Sequence, residues 1–294
     1  MLKMALILLS LSFMSCSHLQ KNSSNDRAIS SVSSIDPNQM PPIEWHFVTT
    51  TFQGLNYVYT PFFIKDEKNL TLYTAGGGTA AGNGIRKLST DLFGTKAITE
   101  KMVIPTGPDA AKYNYFRAGR VSKNGSELYM LTEIAGCYEG CDTPAAPKSM
   151  ATYHSLDDGN TWTFVGFVNV DGKRYVSQWM AQTGLVWNPN GSKDLDLKDL
   201  TNNKFITIGE NRDMFVSNDG VNFKSIKMNH PFPKDRLVFA SLAKTPFGFH
   251  MMTCANWSDR YYTMAVRHLF SKDLVNWYPI ESSTFLKNPQ FYKG

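Results

Sequence analysis

Ser155-Leu-Asp-Asp-Gly-Asn-Thr-Trp162 is the stretch on which the fold turns. An Asp or Asn in a tight turn can accept hydrogen bonds from the amides ahead of it, and Gly supplies the positive φ that the turn needs. The following Trp is placed to pack down between sheets. Ser217-Asn-Asp-Gly-Val-Asn-Phe223 is a compressed version ending in Phe, and Ser271-Lys-Asp-Leu-Val-Asn-Trp277 is a variant. Ser89-Thr-Asp-Leu-Phe-Gly94 is the most degenerate copy. The four Ser positions stand 66, 62 and 54 residues apart, which marks a repeated supersecondary unit. The residues of these turns are read as structural, so no chemistry is assigned to Asp157, Asp219 or Asp273.

Around each turn, short apolar or alternating runs bounded by Gly, Asn and Asp predict strands. The first unit is expected to use 58–65, 69–75, 85–89 and 96–103, and the second 115–122, 127–134, 150–155 and 162–168. The third takes 179–187, 205–209, 214–217 and 223–226, and the fourth 237–244, 247–254, 262–271 and 277–280. No long segment shows helix periodicity.

The first turn is a full match to the Asp-box, Ser-x-Asp-x-Gly-x-Thr-Trp, and so resembles sialidases and other β-propellers. The Ser271–Trp277 variant is similar to turns of propeller glycosidases. Tyr57-Val-Tyr-Thr-Pro-Phe-Phe-Ile-Lys-Asp66, followed by Leu72-Tyr-Thr-Ala-Gly-Gly77, resembles the first blade of five-bladed arabinanase-type glycosidases and of related mannoside phosphorylases. The resemblance covers the scaffold, residues 43–280. It implies an all-β fold, a β-propeller of four-stranded antiparallel blades. Five blades are expected, with 44–48 and 285–292 sharing the fifth and closing the ring, because an open sheet edge invites aggregation. Thr60 stands where the arabinanase-type enzymes carry an Asp before the Pro as base. Phe62-Phe63 offers no Arg of the kind that opens a sialidase.

The amino terminus reads as an address. Residues 1–15 carry Lys3 and then an apolar or Ser stretch from Met4 to Met14, the pattern of a signal peptide. Ser15-Cys16 resembles the end of a bacterial lipobox, which implies lipidation of Cys16; ordinary secretion with Cys16 incidental is the other reading. Residues 16–42, rich in Ser and Asn and ending in Pro41-Pro42, read as a flexible linker, and 43–294 as the propeller domain. The expected location is outside the cytoplasm, in a bacterial cell envelope as an outer-membrane lipoprotein, with the membrane engaged through the lipid.

Composition narrows the function. Of 294 residues, 42% are apolar and 13% aromatic, enough to bury a core and to exclude disorder for most of the chain. A net charge of +5 with no densely basic window argues against nucleic acid as a partner. Cys137 and Cys141 share a loop with no His or further Cys nearby, so a small loop disulfide is favoured over a zinc site, and Cys254 is expected to be a buried thiol. No calcium-loop array, His-Glu-x-x-His pair, nucleophile elbow or phosphate loop occurs, so neither metal nor cofactor is expected.

The propeller resemblance places the Ser/Asp turns on one face and, on the other, the loops entering the innermost strands together with those joining second and third strands. That second face collects Arg117, Arg174 and Arg236, each leading into an innermost strand, and Glu133 and Glu210, each ending a second strand. Trp179, Trp257, Tyr113 and Tyr175 offer aromatic faces. Aromatic rings stack on the C–H side of a pyranose, arginine forks fit a carboxylate or sulfate, and two facing carboxylates are the minimum for glycosidic hydrolysis. Glu133 is assigned as acid and Glu210 as base. The alternative is that both carboxylates ion-pair with neighbouring arginines at the channel mouth. The expected partner is a glycan or other envelope polymer, taken either by a glycosidase-like protein or by a non-catalytic binding module.

Overall fold

The computed structural model describes residues 58–65, 69–76, 85–91, 99–103, 113, 115–136, 148–176, 184–209, 213–230, 238–255 and 265–280. These residues form four sheets. The first contains β1 (Val58–Lys65), β2 (Asn69–Gly76), β3 (Ile85–Asp91) and β4 (Thr99–Val103) in sequence order. The second contains β5 (Tyr115–Asn124), β6 (Glu127–Ala135), β7 (Ser149–Ser155) and β8 (Thr163–Phe167).

The third sheet has six strands. Its core is β11 (Leu185–Trp187), β12 (Phe205–Ile208), β13 (Asp213–Ser217) and β14 (Asn222–Lys227). A hairpin of β9 (Asn169–Val170) and β10 (Lys173–Arg174) extends it beyond β14. The fourth sheet is β15 (Val238–Thr245), β16 (Gly248–Ala255), β17 (Ala265–Ser271) and β18 (Tyr278–Pro279). Every pairing is antiparallel except β9 with β14. The strands fall within a few residues of the sequence expectation, apart from the hairpin. Residues 171–179 read as a loop in the sequence, yet Lys173 and Arg174 are paired with Val170 and Asn169. A two-residue strand has too little pattern for periodicity to register.

Three of the turns that join third to fourth strands share one hydrogen-bond scheme. Ser155, Ser217 and Ser271 each donate from Oγ to Oδ1 of the Asp two residues on. Their Oγ atoms accept from the amides of Gly159, Gly220 and Leu274. Asp157 accepts from the Thr161 amide at 2.8 Å, Asp219 from the Asn222 amide at 2.7 Å and Asp273 from the Asn276 amide at 2.7 Å. The Thr161 amide, with further help from the Thr161 and Ser155 hydroxyls, holds the Asp157 carboxyl down at about 2. Burial opposes the charge of Asp219 and Asp273, and their turn hydrogen bonds outweigh it, so both also lie below the usual carboxylate range. These three carboxylates are committed to backbone. The fourth turn continues past Asp91 outside the described residues.

The third turn solves its geometry differently from the second. Gly220 has φ 73°, and Leu274, at the matching position, has φ 66°. A left-handed conformation costs a non-Gly residue about 1–2 kcal/mol. Leu274 offsets that cost by burying its whole side chain against Trp277, Phe249 and Met251. At the first turn Asp158, φ 58°, ties its own sheet to the preceding one. Its carboxylate meets Lys87 of the first sheet at 3.0 Å and Lys123 of β5 at 2.6 Å, and its carbonyl accepts from Tyr73 Oη of the first sheet at 3.2 Å.

Trp162, Phe223 and Trp277, which follow the turns, are all buried. The core between sheets divides into three clusters. One joins the first and second sheets through Tyr73, Met130, Tyr153 and Trp162; another joins the second and third through Leu131, Met150, Phe205 and Phe215. The last joins the third and fourth through Ile206, Val216, Met251 and Trp277. Successive sheets therefore pack face to face, each on the next.

The chain leaving the second sheet and the chain leaving the third are each stitched to the outer edge of the sheet that follows. Asn169 pairs in parallel with Asn222, and Asn229 bridges Asn276 in the same sense. In each case the first Asn donates from Nδ2 to the Oδ1 of the second, at 3.3 Å and 3.1 Å. The chain leaving one sheet thus docks on the turn of the next.

His250 and His268 form a buried pair in the fourth sheet, with Nδ1 and Nε2 3.1 Å apart. Burial pushes both imidazoles down, and the neighbouring His250 adds to the effect on His268, which falls to about 4. A lowered folded-state value means that the unfolded chain binds protons first as pH drops. The stability from this pair is complete above about 6.5 and is lost as pH falls from there towards 4. We expect the urea midpoint to decline through that window, with His268 contributing up to about 3 kcal/mol to the loss of unfolding free energy. A His268→Phe variant should show a flatter profile, and an unchanged slope would contradict this account.

Candidate site at the end opposite the turns

β6 runs away from its turn with β5, so Glu133 comes near its far end, beside the start of β7. The register puts Glu133 opposite Met150 on one side and Arg117 on the other. Glu133 is only 1% exposed, within a strand whose neighbours Thr132 and Ile134 are also fully buried. Alternation assigns it to the same sheet face as Leu131, the face turned to the third sheet.

A β-bulge lies between Arg117 and Gly119. Arg117 and Arg120 are three residues apart, yet they oppose Glu133 and Leu131, which are two apart. The bulge absorbs the extra residue, so both arginines take positions on the Glu133 face. Arg120 is a buried charge on this face that the sequence reading passed over. It is 4% exposed, and burial alone brings its guanidinium down to about 10, so it stays charged at neutral pH. Its only sequence mark is a charge three residues from Arg117, and without the bulge that spacing would put the two on opposite faces.

Bulges recur at this level. β1 shifts register between Tyr59 and Phe62, across Thr60 and Pro61, and β15 shifts between Val238 and Ser241. In each of the three innermost strands the irregularity faces the last few residues of the second strand.

The predicted residues fall into three groups. Glu133 and Tyr175 are brought together through Met150, whose amide donates to the Tyr175 carbonyl at 3.1 Å while its strand position opposes Glu133. The Tyr175 ring stands edge-on to Phe215 at 5.4 Å. Tyr113 and Arg174 meet at Phe167. Tyr113 lies 5.4 Å from that ring and is buried by it, so its face is used in packing. The Arg174 guanidinium lies 3.4 Å above the ring centroid.

Arg174 therefore sits at the outer edge, where β10 flanks the third sheet, rather than beside an innermost strand. The cause is the β9–β10 hairpin, which turns the chain back before it enters β11. Glu210, Arg236, Trp179, Trp257, Cys16, Cys137 and Cys141 lie outside the described residues, as do residues 1–57. Arg117 is described by its backbone pairing. No group of three or more His, Cys, Asp or Glu among the described residues could hold a metal ion.

No family model and no curated protein matches this chain. Solved structures do match it. A glycoside hydrolase family 43 protein of Bacillus licheniformis, BlXynB, superposes with a TM-score of 0.55 at 9% identity. The match covers 81% of this chain and 43% of that one, so this chain spans less than half the length of that relative. A β-1,3-galactosidase of family 43, solved with galactodeoxynojirimycin, matches with a TM-score of 0.50 at 12% identity over 76% of each chain. What is shared is the scaffold: an all-β, propeller-like assembly of small antiparallel sheets of the kind found in family 43 glycosidases.

Proposed function

We propose that this chain recognises a glycan at the end of the propeller opposite its Ser/Asp turns. The observation that carries the reading is the half-exposed Tyr175, which is hydrogen-bonded to Met150 opposite Glu133 at that end of the second sheet. Aromatic rings are side chains a sugar surface calls for. The scaffold supports the reading, since both cited relatives are family 43 proteins and one is a galactosidase. Fold alone does not carry function.

The proposal includes five blades, with residues 44–48 and 285–292 completing the fifth. It also includes residues 1–15 as a signal peptide, Cys16 as a lipid attachment, 16–42 as a tether and 43–294 as the recognition domain, which would set the protein in a cell envelope. The second reading is hydrolysis with Glu133 as acid and Glu210 as base. The burial of Glu133 weighs against it, because a general acid must reach the leaving oxygen.

A glycan array and a panel of aryl glycosides test both readings on the same protein. We expect saturable glycan binding, and Glu133→Gln, which keeps the shape, should leave affinity within about threefold. Turnover that falls by roughly a hundredfold or more in Glu133→Gln and Glu210→Gln would establish the hydrolytic reading instead. Absence of binding to any glycan would overturn the proposal.

A further inference from the structure

The β9–β10 hairpin is built to hold still. Asp171 and Gly172, at φ 50° and 75°, make the tight turn, and both residues of β9 pair with β14. The Asn169 amide donates to the Val221 carbonyl at 2.8 Å and the Asp171 amide to the Phe223 carbonyl at 3.0 Å. The carboxylate of Asp171, the one acid of the hairpin, is taken by Lys224 at 2.7 Å.

What the hairpin presents is cationic. Lys173 and Arg174 are both exposed, and no carboxylate among the described residues reaches either. The Arg174 guanidinium lies over the Phe167 ring, 3.4 Å from its centroid, and that ring is itself fixed by Phe164 at 5.1 Å and Tyr113 at 5.4 Å. A guanidinium stacked by its face keeps its N–H edges available, already oriented, at little further entropic cost. That is the geometry for a bidentate oxyanion.

We infer that the Lys173–Arg174 edge is a subsite for the anionic groups of an acidic polysaccharide, a uronate carboxylate or a sugar sulfate. The inference rests on the glycan reading above and names its substrate class. The subsite lies at the outer seam between the second and third sheets, so it engages a chain extending outward from the site end. Arg174 fixes the charged group, Lys173 on the other face of β10 adds only longer-range attraction, and the partly exposed Tyr175 continues the surface inward towards Met150.

The test uses the full chain and four probes: polygalacturonate, dextran sulfate, a neutral galactan and phosphatidylglycerol vesicles. Acidic polysaccharide should bind more tightly than galactan, and added salt should weaken only the former. Arg174→Ala should reduce acidic binding about tenfold while leaving galactan binding within about twofold. Arg174→Lys should not restore it, because the planar fork is lost. An unchanged melting temperature keeps the result interpretable, since Arg174 is an exposed side chain. Preference for polygalacturonate or for dextran sulfate identifies the anion, and either supports the inference.

Equal binding of acidic and neutral glycans, or acidic binding indifferent to Arg174→Ala and Lys173→Ala, overturns the inference and leaves the glycan reading standing. Failure to bind any polysaccharide removes both. Vesicle binding that requires Arg174 without polysaccharide binding replaces the glycan by a lipid surface.

Discussion

Trp277→Ala is expected to lower stability by about 3–5 kcal/mol, the usual range for emptying a buried indole site. Trp277 is 2% exposed and sits among Leu274, Met251 and Leu269 where the third and fourth sheets meet. Its Nε1 donates to the Leu274 carbonyl at 3.0 Å, and its amide donates to the Asn229 carbonyl at 2.8 Å. The side chain therefore fills the core while closing the turn that carries it. Its loss also removes the packing that offsets the left-handed Leu274. For a domain of this size the melting temperature should fall by roughly 10 °C. Trp277→Phe should recover part of the loss through volume and leave the Leu274 carbonyl without its donor. A drop of only a few degrees for Trp277→Ala would show that the neighbouring sheets collapse into the space.

Gly184→Ala should cost about 3 kcal/mol, at or beyond the upper end of ordinary overpacking. A Cβ at Gly184 would stand 2.2 Å from the Leu242 amide nitrogen and 2.7 Å from its Cβ. Gly184 precedes β11 and Leu242 lies in β15, so two innermost strands approach backbone to backbone there. Backbone cannot rotate aside as a side chain can. The Gly184 carbonyl is also held by Thr207 Oγ1 at 2.8 Å, which resists displacement. Gly125→Ala is the control: φ is 61° but nothing lies within 4 Å, so only the conformational cost of about 1–2 kcal/mol remains. Matching urea curves for the two variants would mean that the third and fourth sheets can part at little cost. A larger loss for Gly184→Ala would locate a rigid contact where the approach to β11 meets β15.

The two substitutions probe the same seam from opposite ends. Trp277 belongs to the outer turn and Gly184 to the approach of the innermost strand. Rigidity along such a seam matters for recognition, because a subsite on a sheet edge keeps its geometry only while neighbouring sheets stay in register.

Much of the fold could be read directly because its signals are local. Ser, Asp and Gly or Leu, followed by Trp or Phe, specify a turn through contacts within about seven residues, and short alternating runs specify the strands on either side. The residues that follow each turn, Trp162, Phe223 and Trp277, carry enough apolar surface to predict their burial. The spacing of the turns then fixes the size of the repeating unit. None of this requires knowing what lies across the sheet.

The site depended on contacts that sequence does not encode locally. The bulge at Ala118 is a mismatch between two strands, and it alone puts Arg120 on the Glu133 face. Arg174 leaves the innermost-strand position because its hairpin finds a partner in β14, some fifty residues on. Tyr113 loses its free face to Phe167, and Glu133 is closed over by packing between sheets. Turn chemistry is written in neighbouring residues; register, burial and the direction a charge finally faces are settled by surfaces that meet only after the chain has folded.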